Sequence, residues 1–207
     1  MARTIDIARR REIALKAFEI IKEGGVHRTT MSDIASGLGM KRPTLYWYFK
    51  DFGEIFEAVV SDTDDELRAH VIGRLEGVTH PIDTLIGIAE ATLDFYAARR
   101  DRVMVLFQLW AVTGEVAPAR IARRSREFVQ PVRDELVRRL ELGIADGSVA
   151  ACDPGAVIDL LFSVIDGAHV QQVTRGADPR SMLEGLRTYV LDPLRLTGKA
   201  NRAAARS

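Results

Sequence analysis

The 207-residue sequence has one cysteine, Cys152, and no long apolar run. A single thiol excludes an intrachain disulfide framework and a cysteine-rich zinc site. The longest apolar runs, such as residues 103–107, are too short to cross a bilayer. The charged start MARTIDIARRR is not followed by the apolar segment of a signal peptide. We therefore expect a soluble, cytoplasmic protein that does not interact with membranes.

The overall charge gives no argument for a nucleic-acid partner, because 29 basic residues balance 29 acidic ones. The distribution is uneven, however: residues 1–50 hold ten Lys or Arg against five Asp or Glu, a net charge of +5 that the rest of the chain cancels. A basic N-terminal part on an acidic body is typical of a nucleic-acid-binding domain joined to a regulatory domain. Chance clustering is the alternative for a difference this small, so the charge supports the motif but would not stand alone.

The strongest motif is the segment TTMSDIASGLGMKRPTLYWYFK near the N-terminus. Thr30 is a good helix N-cap, and Asp33 stands three residues later, as in a capping box. Gly37 and Gly39 supply the backbone freedom of a tight turn. Pro43 is tolerated in the first turn of the next helix. The segment therefore predicts two short helices joined by a turn.

The second short helix has two distinct faces. Leu45 and Phe49 are four residues apart and pack inward together. The remaining positions point largely outward: Arg42, Thr44, Tyr46, Trp47, Tyr48 and Lys50. Cations and hydroxyls bind phosphate oxygens, and threonine methyls and aromatic edges contact thymine methyls, so this face suits a DNA groove. The alternative is a buried aromatic cluster in an ordinary helical hairpin.

The segment resembles the DNA-binding domain of the TetR family of transcriptional regulators, in TT..DIA..LGM and PTLYWYFK, within residues 10–56. The resemblance implies an all-α fold of about nine helices, in which an N-terminal three-helix helix-turn-helix domain precedes a helical ligand-binding and dimerisation domain. We place these domains at residues 1–52 and 53–196, with a disordered basic tail at 197–207. The resemblance and the charges together predict DNA contacts for Thr30, Lys41, Arg42, Pro43, Thr44, Tyr46, Trp47, Tyr48 and Lys50.

One position departs from the family pattern. Family members usually carry a phosphate-binding lysine where this chain has Phe52. Either Lys50 takes over the phosphate contact, or the grip on DNA is weaker. A packed Phe52 would also seat the following helix against the helix-turn-helix domain.

Arg9, Arg10 and Arg11 crowd the first turns of the predicted first helix, residues 6–23. Cations at a helix N-terminus oppose the helix dipole, so their placement needs another reason. A nearby phosphate backbone is one explanation, and a frayed, solvated arm is the other.

Glycine, proline and polar clusters divide the rest of the chain into helical patterns. We expect helices over residues 52–75, 81–99, from 101, 115–146, from 153 and 180–191. Pro131 lies inside one of them and should kink it, since proline removes a backbone hydrogen bond. The last is expected to stop at Asp192-Pro193.

The helix that starts at Asp153-Pro154 is apolar nearly all round, so it needs cover on more than one side. A second copy of the chain provides that cover, and TetR regulators pair through their last two long helices. We expect a homodimer, which also suits a palindromic operator in double-stranded DNA. A deep core helix in a monomer is the alternative. The predicted interface comprises Val157, Leu161, Val164, Leu183, Leu186 and Val190.

Aromatic residues with a few interspersed polar groups mark a candidate small-molecule site in the middle helices. The candidates are Tyr96, Phe107, Trp110, Phe128, Phe162, Asp166 and His169. Aromatics at helical spacing are also typical of an ordinary core. Asp166 and His169 are one turn apart, but a metal site needs more ligands than this pair, so we expect no metal and no cofactor.

The sequence favours a DNA-binding transcriptional regulator, a repressor released from its operator by an unknown small-molecule effector. An architectural DNA-binding protein without an effector is the alternative. We expect no enzyme: the chain lacks a glycine-rich phosphate loop. A nucleophilic Cys152, activated at a helix start, would need His169 beside it as a base.

Overall fold

The computed structural model describes residues 6–100, 102, 104, 105, 123 and 125–196, and its regular secondary structure there is helical. The only β-type pairing among these residues is an isolated bridge between Val149 and Arg195. The all-α prediction is confirmed. The main helices are α1 (Ile7–Gly24), α2 (Met31–Gly37), α3 (Arg42–Tyr48), α4 (Phe52–Arg74), α5 (Pro81–Ala97), α6 (Gln130–Asp146), α7 (Pro154–Arg175) and α8 (Pro179–Leu186).

The described residues form two compact units, and the division falls within α4, after Arg68. The first unit contains α1, α2, α3, the start of α4 and the described residues between 99 and 105. Its core joins Phe18, Ile34, Leu45, Phe49 and Ile55, all of which are buried. Each of the four helices contributes at least one of these side chains, so the short α2 and α3 are stabilised mainly by tertiary packing.

The second unit contains the end of α4 and helices α5 to α8. Its core joins Ile82 and Leu85 from α5, Leu140 from α6, and Ile158 and Leu161 from α7. Residues 194–196 return to the loop after α6, where Leu196 N–H donates to the Ser148 carbonyl over 2.9 Å. Residues 194–196 are therefore tied to the body of this unit.

Two helix ends differ from the sequence prediction. Pro131 is not inside a long α-helix: a π-helical turn, Ser125–Val129, precedes α6, and Pro131 lies in the first turn of α6. There its missing N–H removes no α-helical hydrogen bond. Pro193 likewise does not stop the last helix, because a π-helical turn, Arg187–Leu191, leads into a further short turn, Asp192–Leu194, and Pro193 lies in the first turn of that segment.

Within the described ranges, none of the helices is both long and apolar enough to cross a membrane. The predicted disordered tail, residues 197–207, lies outside the described residues.

Candidate DNA-binding site

The start of α2 is fixed by a reciprocal capping box. The Thr30 hydroxyl oxygen accepts a hydrogen bond from Asp33 N–H over 3.2 Å, and the Asp33 carboxylate accepts from Thr30 N–H over 2.9 Å. The Thr30 hydroxyl also donates to that carboxylate over 2.7 Å. These hydrogen bonds lower the pKa of Asp33, the side-chain bond from Thr30 being the largest cause. The cap that the sequence predicted is thus present, and it occupies the Thr30 hydroxyl proton.

The turn between α2 and α3 depends on two glycines for different reasons. Gly39 has a φ of 62°, in the left-handed region, and a Cβ there would meet no atom, so backbone conformation alone favours glycine. Gly37 instead lies against α1: a Cβ would come within 2.8 Å of the Ile20 Cδ1 atom. The turn therefore combines a conformational and a packing requirement.

Helix α3 has one buried and one exposed face, as predicted. Leu45 and Phe49 are fully buried in the core of the first unit. Lys41, Arg42, Pro43 and Thr44 are exposed at its start, with Lys50 exposed just beyond its end. A cationic start followed by a broad aromatic surface is the combination that a DNA groove accepts.

The aromatic residues of α3 differ in solvent exposure. Tyr46 and Trp47 are 39% and 38% exposed, which is unusual for side chains of this size. The Arg42 guanidinium lies 5.6 Å from the centre of the Tyr46 ring. Tyr48 is half-buried, and its ring meets that of Trp47 edge-on at 4.6 Å. The alternative of a buried aromatic cluster therefore does not describe Tyr46 and Trp47.

Phe52, at the first position of α4, is half-buried and packs against the core of the first unit. It therefore seats α4 against the helix-turn-helix, as expected for a packed Phe52. The backbone around it is also capped: Asp51 accepts from Glu54 N–H over 2.8 Å, and Glu54 accepts from Lys50 N–H over 3.0 Å.

The three N-terminal arginines lie within α1, so they do not form a frayed arm, and each has a partner in the first unit. Arg9 pairs with Glu12 on the surface of α1. Arg10 binds the Tyr48 carbonyl, and Arg11 pairs with Asp62 of α4. The sequence did not indicate the partners of Arg10 and Arg11, because they lie 38 and 51 positions away.

Asp62 is a buried charge that the sequence did not single out. Its side chain is 2% exposed and is bound by Arg11 from α1 and by Arg102, over 3.0 Å. Arg102 also lies 3.3 Å from Glu66, which pairs with Arg99 as well. Two guanidinium partners offset the desolvation of the buried carboxylate. This network fastens α1 and the segment after α5 to α4 within the first unit.

Two of the predicted effector residues meet in the second unit. The Tyr96 and His169 rings are edge-on at 4.2 Å. His169 is buried, and its Nδ1 lies 3.1 Å from the Ile165 carbonyl. Burial lowers the pKa of His169 and outweighs this hydrogen bond and the nearby Asp166. The lowered pKa favours the neutral ring, and Nδ1 carries the proton because its neighbour is a carbonyl oxygen. Nε2 has no hydrogen-bond partner among the described residues.

The other effector candidates are less clearly placed. Phe162 is half-buried and packs on the core of the second unit, and Phe128 is half-buried in the π-helical turn before α6. Asp166 is exposed on α7, although desolvation still raises the pKa of its carboxyl. Phe107 and Trp110 lie outside the described residues.

The predicted interface residues divide into two groups. Val157, Leu161 and Leu186 are buried within the second unit's own core, whereas Val164, Leu183 and Val190 are half-buried at its edge. The exposed apolar side chains on these segments are others: Leu160 and Val170 on α7 and Tyr189 after α8, at 42%, 46% and 82% exposed. Among the described residues, the side of α7 around Leu160 and Val170 is therefore left exposed.

Cys152 and the histidines give no sign of an enzyme or metal site. Burial, with help from Asp153, raises the pKa of the Cys152 thiol, which is opposite to the activation of a nucleophile. No group of three or more metal-binding side chains occurs in the part of the chain that the structure describes.

Comparison with known proteins agrees with the geometry of the first unit. Residues 13–59 match the model of "Bacterial regulatory proteins, tetR family". The HTH-type transcriptional repressor KstR2 of Mycolicibacterium smegmatis is 29% identical over 76% of this chain and 74% of its own length. Further curated regulators match over shorter stretches, between 44% and 59% of their own length.

Solved structures with a similar fold include the following two. A TetR transcription regulator from Haloarcula marismortui matches with a TM-score of 0.75 at 18% identity, over 91% of this chain and all of that one. A putative transcriptional regulator from Saccharomonospora viridis, solved in complex with choline, matches with a TM-score of 0.72 at 19% identity, over 93% of this chain and all of that one. The family match, the similarity to KstR2 and the exposed α3 together define a helix-turn-helix transcriptional regulator. Residues 13–59 carry the similarity to the TetR family.

Proposed function

We propose that this regulator is a dimeric repressor that binds a palindromic operator through α3 and is released by a small molecule bound in the second unit. The exposed face of α3 carries the proposal: cations at its start and two large aromatics at its centre are held on a capped, closely packed scaffold. The proposed contacts are those predicted from the sequence. Among these, Thr30 is less able to donate a hydrogen bond to DNA, because its hydroxyl proton is already donated to Asp33 in the helix cap.

The dimer is supported by the apolar side of α7 that the described residues leave exposed. Leu160, Val164 and Gly167 follow one another at helical spacing, and Val170 and Tyr189 add exposed apolar surface on α7 and after α8. A two-fold axis there would present two copies of α3 to two half-sites of an operator.

The effector site is supported by Tyr96 and His169. No described residue donates to the buried Nε2 of His169, and such an acceptor costs stability unless another group donates to it. The aromatic ring of Tyr96 beside it suits an apolar ligand. The structural relative that holds choline is a precedent for small-molecule binding in this fold. A ligand that prefers one of two dimer conformations would shift the population that is competent for DNA.

The test is selection of genomic DNA fragments by the purified chain, together with its mass by light scattering. We expect a mass of two chains and enrichment of a palindromic sequence. Trp47→Ala should lose the enrichment, whereas Leu142→Ala, an exposed apolar residue of α6, should keep it. A monomer, or a dimer that enriches no sequence, would favour the architectural alternative.

The enriched fragment then serves to screen small molecules for release of DNA. His169→Ala and Tyr96→Ala should retain DNA binding and lose the response to an active compound. An unchanged response in both variants would remove these residues from the proposed effector site.

A further inference from the structure

Arg10 makes three contacts around the end of α3. Its Nε donates to the Tyr48 carbonyl over 3.2 Å, and its guanidinium carbon lies 4.5 Å from the centre of the Phe49 ring. A terminal nitrogen is 3.8 Å from the Glu54 carboxylate. The Arg10 side chain is 31% exposed, so most of it lies inside the first unit.

The Tyr48 carbonyl is among the last four of α3, which have no partner inside the helix. Arg10 supplies that partner from α1. The guanidinium also lies over the ring of Phe49, the residue that caps the end of the helix. Glu54, which faces Arg10, in turn accepts from Lys50 N–H. One side chain thus joins α1 to the last turn of α3, the following loop and the first turn of α4.

We propose that Arg10 is a positioning residue for DNA recognition: it sets the orientation of α3 on the first unit without touching DNA. The proposal rests on the proposed function, in which α3 is the recognition helix. The guanidinium points toward Tyr48 and Phe49 and not toward solvent, so its role differs from the phosphate contact expected of a basic N-terminal helix.

The chain offers a matched control at the preceding position. Arg9→Gln removes the same charge from α1, but Arg9 pairs only with Glu12 on the surface in the described structure. Binding of each variant is measured to the duplex enriched by the wild-type protein and to a scrambled duplex of the same composition, over a range of salt concentrations. A third variant, Arg10→Lys, keeps the charge but not the planar donor set. Circular dichroism melts verify that each variant is folded.

We expect Arg10→Gln to reduce the ratio of specific to scrambled affinity by about tenfold, the effect of one charge-assisted hydrogen bond. Arg9→Gln should leave the ratio unchanged, and Arg10→Lys should restore it only in part. The salt slopes of the two glutamine variants should agree. A direct phosphate contact by Arg10 would reduce the slope of log affinity against log salt concentration by about 0.9 more in Arg10→Gln than in Arg9→Gln, and lysine would restore it fully. That result would overturn the proposal. Equal ratios of specific to scrambled affinity in Arg10→Gln and Arg9→Gln would also overturn the proposal.

A second readout needs no DNA. The indole N–H resonance of Trp47, assigned with Trp47→Phe, reports the environment of α3. Arg10→Gln should shift it and Arg9→Gln should not; an unshifted resonance in Arg10→Gln overturns the positioning role. A wild-type protein that enriches no sequence while Arg10→Gln still shifts Trp47 would defeat the proposed function and leave the link between Arg10 and α3 standing.

Discussion

Leu160 and Leu161 are adjacent on α7, but one side chain is exposed and the other is buried. Substitution by glutamate should therefore affect dimerisation at Leu160 and folding at Leu161. Leu160 is 42% exposed on the side of α7 that the described residues leave uncovered, whereas Leu161 is fully buried in the second unit's core. If the dimer forms on this side, Leu160→Glu should give folded single chains. Leu161→Glu should instead unfold the second unit.

The expected weakening of the dimer by Leu160→Glu follows from the exposed area of the Leu160 side chain. Complete burial of a leucine contributes about 1.5–3 kcal/mol, so covering the exposed part of Leu160 contributes about 1 kcal/mol in each copy. Glutamates in both copies add the desolvation of two like charges, for a total of about 4 kcal/mol or more. That corresponds to roughly a thousandfold rise in the dimer dissociation constant.

Leu161→Glu removes a buried leucine, at about 2–5 kcal/mol, and adds a buried unpaired charge. The sum approaches the whole stability of an ordinary domain, about 5–15 kcal/mol. Light scattering during serial dilution and circular dichroism measure both variants. A Leu160→Glu protein that remains two chains at every dilution would refute the placement of the interface, and a folded Leu161→Glu protein would refute the core assignment.

Three further predictions concern the DNA-binding face, the α2 cap and the buried histidine. Trp47→Ala should weaken operator binding more than nonspecific binding, whereas Lys41→Ala should weaken both and reduce the salt slope by about 0.9; the reverse pattern in a binding titration would contradict the assignment. Thr30→Ala should lower the free energy of unfolding by about 1 kcal/mol in urea, and Thr30→Ser should not; equal losses would mean that the hydroxyl cap contributes nothing. Burial lowers the pKa of His169 below its ordinary value of 6.5, so its contribution to stability is present above pH 6.5 and is lost as the pH falls. Melting temperatures of wild type and His169→Gln should converge or cross on acidification, and parallel curves would count against a neutral buried ring.

Much of the helix-turn-helix was predictable because its determinants are local. The capping box joins residues three apart, the left-handed turn needs only Gly39, and Leu45 and Phe49 mark the buried face by their spacing. Such features act over one or two helical turns, so a short stretch of sequence contains the whole cause. The resemblance to TetR regulators rests on the same residues.

Tertiary structure alone decided which partner each long side chain finds. Arg10 and Arg11 share the sequence context of Arg9, but distant residues bind them. Helix α7 is apolar on several sides, and the packing of α5 and α6 against one of them decides that Leu161 is buried and Leu160 exposed. Tyr96 and His169 are 73 positions apart and meet only because α5 and α7 belong to one core. Local sequence determines where helices begin, turn and end, whereas contacts between distant segments depend on packing, which selects among many compatible partners.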